Sequence, residues 1–213
     1  MNNVKIPNYS LSEELINSIS HGIGSIISIT FLVFSIIYSN NIISLLSSII
    51  YSLTMFFMYT DSCLYHAFKR NCKAKKVFRI IDHSDIYIFI CGSYTPYCLC
   101  VLKGKLGIIL LIIIWILGIL GVILKCININ KYNKISFILY LLMGWLIILT
   151  FNYLKELLCF NSLYLLIMGG ITYTIGSIIY IIGSKYKYFH SIFHFYVLFG
   201  SIFHLLSIMF IIF

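Results

Sequence analysis

A chain of 213 residues that is 61% hydrophobic and 10% charged, with a mean hydropathy of +1.02, lies far outside the composition of a soluble domain. Its formal charge of +9 would suit a nucleic-acid partner, but the basic residues sit in short clusters between long uncharged runs, which argues against one. The runs are apolar all round for about twenty residues, so they are helices rather than the alternating strands of a barrel.

The first apolar run is preceded by Glu13 and Glu14 instead of a basic region, and no small-residue cleavage site follows, so no removable signal peptide is expected. Residues 1–17 read as a cytoplasmic tail and 18–213 as the transmembrane domain. Ser12 is the expected N-cap, with two acids in the first turn. Glu13, Asn17 and His21 recur at i, i+4 and i+8, a polar stripe that suits either an interfacial helix start or a functional face. Gly22 and Gly24 permit a close helix neighbour. From Asn17 to Thr60 there is no Asp, Glu, Lys or Arg, and Asn40-Asn41 divides this run into two spans joined by a tight turn.

The second span closes on Asp61-Ser62-Cys63-Leu64-Tyr65-His66, with Ser62 and His66 one turn apart. The third, Ile81 to Leu102, opens with Asp82, His83 and Asp85 in its first turn, where at least one of these groups should face the bundle interior. Pro96 lacks an amide hydrogen and should kink or loosen that helix. The fourth (Leu106 to Leu124) and fifth (Ile135 to Leu154) spans show no evident chemistry. Small residues of the sixth, Leu157 to Ser184, read as a packing face: Gly169, Gly170 and Gly176. Cys98, Cys100 and Cys159 fall toward one side, where a disulfide is possible.

The seventh span runs from Tyr188 to Phe213 with no charged residue. His190 and His194 lie one turn apart on its first turns, and His204 about 15 Å deeper. The His190–His204 spacing would also suit haem on one helix, but no second helix carries a matching pair. The expected fold is all-α, a seven-transmembrane helix bundle. Twelve Lys and Arg fall in the tail and in the loops after spans two, four and six, against three on the other side. That bias places the N-terminus in the cytoplasm and the C-terminus outside. Lys69, Arg70, Lys73, Lys75, Lys76 and Arg79 form the densest cluster, which serves as a topology determinant or touches anionic headgroups.

This topology puts His66, Asp82, His190 and His194 at one depth. Three histidines with an open position are the ligand set of a catalytic zinc site. Zinc there lowers the pKa of water to about 7. Asp82 would act as general base or brace a ligand, and Ser62 would donate to a carbonyl or oxyanion.

The run Glu13-Glu14-Leu15-Ile16-Asn17-Ser18-Ile19-Ser20-His21-Gly22-Ile23-Gly24 resembles the opening of hemolysin III proteins. So do Ser62-x-x-x-His66, Asp82-His83-Ser84-x-Ile86-Tyr87, Gly92-x-Tyr94-Thr95-Pro96, Met143-Gly144-Trp145 and His190-x-x-x-His194. These belong to the superfamily that includes the progestin and adipoQ receptors and the alkaline ceramidases. The resemblance implies seven helices, zinc held by His66, His190 and His194, Asp82 and Ser62 at the site, and hydrolysis of a lipid amide such as ceramide; the plasma membrane is the default location. Asp61 and Asp85 depart from the family pattern, standing where bacterial relatives carry apolar or small residues. Two other functions stay open: a pore-forming cytolysin, against which no extended polar stripe is apparent in the spans, and a receptor with a structural zinc site.

Overall fold

The computed structural model describes residues 4–183 and 186–213; the expected sixth-span end at Ser184, and Lys185 of the charge count, lie outside them. Among the described residues there are no strands, and seven helices are long and apolar enough to cross a membrane. They are α1 (Leu11–Tyr38), α2 (Ile42–Ala67), α3 (Lys73–Leu102), α4 (Gly104–Asn128), α5 (Asn133–Leu157), α6 (Phe160–Gly183) and α7 (Phe189–Ile212).

Boundaries differ from expectation where capping decides them. α1 starts six residues earlier than the apolar run, because Ser10 caps it: the Ser10 hydroxyl takes the Glu13 amide, and the Glu13 carboxylate takes the Ser10 amide at 2.8 Å. Ser12 is therefore not the cap; its hydroxyl meets Tyr188 instead. α3 begins at Lys73, so Asp82 and Asp85 stand in its third and fourth turns rather than its first. The Asn40-Asn41 turn forms as expected, with the Asn41 side chain capping α2 through the Ile43 and Ser44 amides. Past Pro96, α3 widens into a π-helical turn over Tyr97–Leu102, the loosening that a missing amide hydrogen permits. That turn ends on Lys103 (φ 47°) and Gly104 (φ 55°).

Side chains are sorted as a bilayer requires. α4 turns Ile108, Ile112, Ile116 and Ile119 outward and buries Gly107, Gly118 and Gly121. α1 likewise turns Ile19, Ile26 and Val33 outward, while Asn17, Ser20, His21, Gly24, Ser28 and Ser35 face in. Small and polar residues sit inside because lipid offers no hydrophobic drive between helices, so close packing and hydrogen bonds hold them. The buried serines return their hydroxyls to carbonyls of the preceding turn, as Ser35 does to Phe31 and Ser52 to Ser48.

Gly24 shows how tight this packing is. A Cβ there would lie 2.4 Å from the ring of Tyr59, a residue with no exposed surface. Gly24→Ala is expected to destabilise the bundle by about 1–3 kcal/mol through overpacking. The check is the melting temperature in detergent, with Gly144→Ala as control, since its Cβ would meet nothing within 4 Å.

Consecutive helices pack side by side, and α7 returns to the start of the chain, touching α1, α2 and α3. The Asn40 side chain donates to the Ile212 and Phe213 carbonyls, tying the end of α7 to the α1–α2 turn. All seven cysteines are free, so no disulfide joins Cys98, Cys100 and Cys159. The Cys100 thiol packs on the Ser47 hydroxyl at 3.2 Å, and Cys159 is exposed.

Candidate metal centre

Because α7 packs against both α2 and α3, the three histidines meet. His66 on the last turns of α2 and His190 and His194 on the first turns of α7 each bring a ring nitrogen to within 4.8 Å of the other two. The Nε2 atoms of His190 and His194 are 3.1 Å apart. A tetrahedral site with metal–nitrogen bonds of ~2.0–2.1 Å spaces its ligand atoms by roughly 3.3 Å, so the α7 pair is already near that spacing.

The tautomer of His66 is set by its neighbours. Its Nδ1 lies 2.6 Å from Oε2 of Glu14, while its Nε2 is buried with no hydrogen-bond partner. A ring that gives its Nδ1 proton to a carboxylate presents a free Nε2 lone pair, the arrangement found behind metal-ligating histidines. His194 likewise buries an unpartnered Nδ1. The donor set, with its dry and unsatisfied nitrogens, fits a divalent metal.

Glu14 was not among the expected site residues; attention fell on Glu13. Glu13 instead caps α1 and accepts the Tyr188 amide at 2.8 Å. The usable signal is the spacing counted from Glu14: Asn17 and His21 follow at i+3 and i+7, a better fit to 3.6 residues per turn than i+4 and i+8. Asn17 approaches Nδ1 of His66 at 3.4 Å. His21 stacks on His194 with centroids 3.8 Å apart, and neither of its ring nitrogens has a partner. Glu14 is in turn braced by Lys75, whose buried ammonium donates to Oε1 at 2.6 Å and to the Phe68 carbonyl at 3.0 Å. Lys75 therefore serves the site interior, unlike the exposed Lys69 and Lys73 of the same basic cluster.

A cavity of about 170 Å³ runs inward from the triad. Ser62, Asp82, His21, His190 and His194 line one end, and Tyr173 and His204 also border it, so a largely apolar channel leads away from the polar cluster. Ser62 and Asp82 face each other across α2 and α3. Asp61 and Asp85 also face each other, but do not line the cavity. The fifth helix, which the sequence leaves without chemistry, supplies Asn133, Tyr140, Gly144 and Trp145 to the wall. The Tyr140 hydroxyl bonds the His83 carbonyl at 2.5 Å, fixing the turn beside Asp82.

The segment before α1 packs against two of the three histidines. Tyr9 stacks on His190, with centroids 4.8 Å apart and planes at 13°, and leans on His66 at 5.9 Å. Burial pushes its phenol above the ordinary tyrosine range, so it stays protonated and able to donate. Asn8 is held by Arg70.

The hydroxyls along α7 are packed rather than pore-lining. Ser201 takes the hydroxyls of Tyr59 and Tyr173 at 2.6 Å each, and Ser207 meets Tyr97 at 2.8 Å and Ser162 at 3.0 Å.

Similarity to known proteins agrees with this arrangement. The sequence model described as haemolysin-III related matches residues 9–205. A hemolysin-3 homolog of Bacillus subtilis (strain 168) is 39% identical over 196 residues, 91% of either chain. Hemolysin-3 of Bacillus cereus is 38% identical over 194 residues, covering 90% of this chain and 88% of the relative. The matched region runs from the capped start of α1 into the last helix, α7, and includes all three histidines, and the chain belongs to the haemolysin-III related family.

Proposed function

We propose that the protein is a zinc-dependent hydrolase of lipid amide bonds, acting on a ceramide-like substrate. The observation that carries this reading is the free Nε2 of His66, oriented by Glu14 and converging with His190 and His194 at the head of an apolar cavity. These three residues would hold the ion. When bound, zinc supplies a Lewis acid that makes water nucleophilic at neutral pH. Asp82, which lines the cavity beside Ser62, would hold a proton and deliver it to the leaving amine. Ser62, opposite Asp82, donates a hydrogen bond to the amide carbonyl oxygen as charge develops there. The apolar walls hold the acyl chain and exclude bulk water.

The loop-charge bias supports a cytoplasmic N-terminus, which sets the triad at the inner leaflet of the plasma membrane. The test is elemental analysis of the purified chain for one zinc per protein, followed by release of free fatty acid from ceramide in liposomes. Absence of zinc from protein purified without chelator would remove the basis of the reading. Glu14→Gln keeps the size of the side chain but weakens its grip on the His66 ring. It is expected to lower zinc affinity 10–100-fold, read by competition with a chromogenic chelator.

The alternative, a pore-forming cytolysin, draws its support from the name hemolysin-3 carried by the Bacillus cereus relative. Release of a trapped dye from liposomes that persists after loss of all three histidines would favour it.

A further inference from the structure

We propose that Tyr9 is the positioning residue of His190, and that the segment from Asn8 to Glu13 is the clasp that holds the His190 ring in its ligand orientation. The inference rests on the metal-site reading above and not on the reaction assigned to it.

The starting point is an asymmetry among the three histidines. A metal-ligating ring is ordinarily oriented by a hydrogen bond from its second nitrogen to a carboxylate, a carbonyl or water. Glu14 does this for His66 at 2.6 Å. Among the described residues, the ring of His190 makes one polar contact, the 3.1 Å approach of its Nε2 to Nε2 of His194. That is the contact two ligands of one ion share, so it leaves the second nitrogen of His190 without a protein partner. Something other than a hydrogen bond must fix the ring.

Packing supplies it. Tyr180 and Phe193 meet the His190 ring at 5.9 and 5.7 Å, but with planes tilted by 53° and 36°. Tyr9 alone lies flat against it, at 4.8 Å and 13°. Turning the imidazole about its Cβ–Cγ bond would drive its edge into the phenol face, so the stack holds one orientation. The same phenol ring reaches His66 at 5.9 Å, and it therefore bridges ligands of α2 and α7.

The segment carrying Tyr9 is anchored on both sides of that ring. Before it, Arg70 holds the Asn8 side chain. After it, Ser10 and Glu13 form the cap of α1, and both Ser12 and Glu13 grip Tyr188. The Ser12 and Tyr188 hydroxyls lie 3.0 Å apart, and the Glu13 carboxylate accepts the Tyr188 amide at 2.8 Å. Tyr188 stands two residues before His190 in the left-handed region (φ 62°), a conformation that a bulky residue keeps only where its surroundings impose it. One short segment thus fixes the backbone that leads into His190 and the ring itself.

The test uses the full chain in neutral detergent and three readouts. These are zinc affinity by competition with a chromogenic chelator, the rate of zinc release into excess chelator, and the visible bands of the cobalt-substituted protein. Tyr9→Ala is expected to weaken zinc binding about three- to tenfold, the weight of one aromatic pair, mostly through faster release, and to shift the cobalt bands. Tyr9→Phe keeps the ring and should restore affinity to within about twofold of wild type. Tyr9→Leu keeps apolar bulk without a flat face and should behave as alanine does; it carries the test if Tyr9→Ala fails to fold. Loss in Tyr9→Phe equal to that in Tyr9→Ala would assign the effect to the hydroxyl and overturn the stacking role. Wild-type affinity in Tyr9→Leu would reduce Tyr9 to filler and overturn it as well. Wild-type protein without zinc would fail the metal reading and this inference together. Zinc-loaded wild type with release unchanged in Tyr9→Ala fails this inference alone.

Discussion

Replacing His190 and His194 together with alanine is expected to take zinc from one ion per chain to background while the helices persist. The two side chains supply two of the three nitrogens, and a single imidazole with water in the other positions cannot compete with the chelating capacity of ordinary buffers. Helix content should hold because alanine is the strongest helix former and both positions lie on the first turns of α7. The packing loss is real but local. His194 is 2% exposed and stacks on His21, so its removal opens a void beside His21, and the melting temperature should drop. His190→Ala alone separates the two effects, since His190 is only partly buried, against Tyr9, Tyr180 and Phe193, whereas His194 is 2% exposed. It should weaken zinc binding strongly with little change in melting. Retention of a full zinc equivalent by the double variant would place the ion elsewhere and overturn the triad. Loss of helix circular dichroism would mark misfolding, and the single variant then decides.

The fold and the three histidines that converge are legible in the sequence for a plain physical reason. Spans of twenty uncharged residues admit only helices in a bilayer, and histidines one turn apart on such a span admit few purposes. What was not legible depends on which helix faces which. Loop charge placed His66 and the α7 pair at one depth, but only the return of α7 to α1, α2 and α3 makes them neighbours. Glu14 was hidden for the same reason. One carboxylate at the start of a helix reads as dipole compensation, and nothing local says that a histidine 52 positions later will present its Nδ1 to it. Lys75 is hidden by composition: as one of six clustered bases it reads as a topology determinant or a headgroup contact, yet it is 1% exposed and bound to Glu14. Tyr9 carries no pattern at all, because an aromatic residue at a membrane edge is usual and its partner rings lie on distant helices; of the α5 wall, Gly144 and Trp145 are visible only through the Met143-Gly144-Trp145 motif.

The second large effect concerns Asp82. Asp82→Asn preserves shape and one acceptor oxygen but cannot accept a proton at neutral pH. If Asp82 moves the proton from water to the leaving amine, turnover of ceramide should fall by about 10²–10⁴-fold with zinc content retained. The geometry supports retention: among the described residues the converging donor atoms come from the three histidines and not from Asp82. Substrate binding should also survive, because the apolar wall is untouched and Ser62 can still donate to the carbonyl. KM is therefore expected to stay within a few fold while kcat collapses, the signature of an interaction made only in the transition state. Two other results are informative. Loss of zinc on Asp82→Asn would make the carboxylate a ligand and move the proton-transfer role to another group. Unchanged turnover with zinc in place would dismiss Asp82 as the base, and His83, which lines the same cavity one residue on, is the group to replace next. Running His83→Gln in parallel separates these outcomes, since its loss should leave kcat within tenfold if Asp82 alone carries the proton.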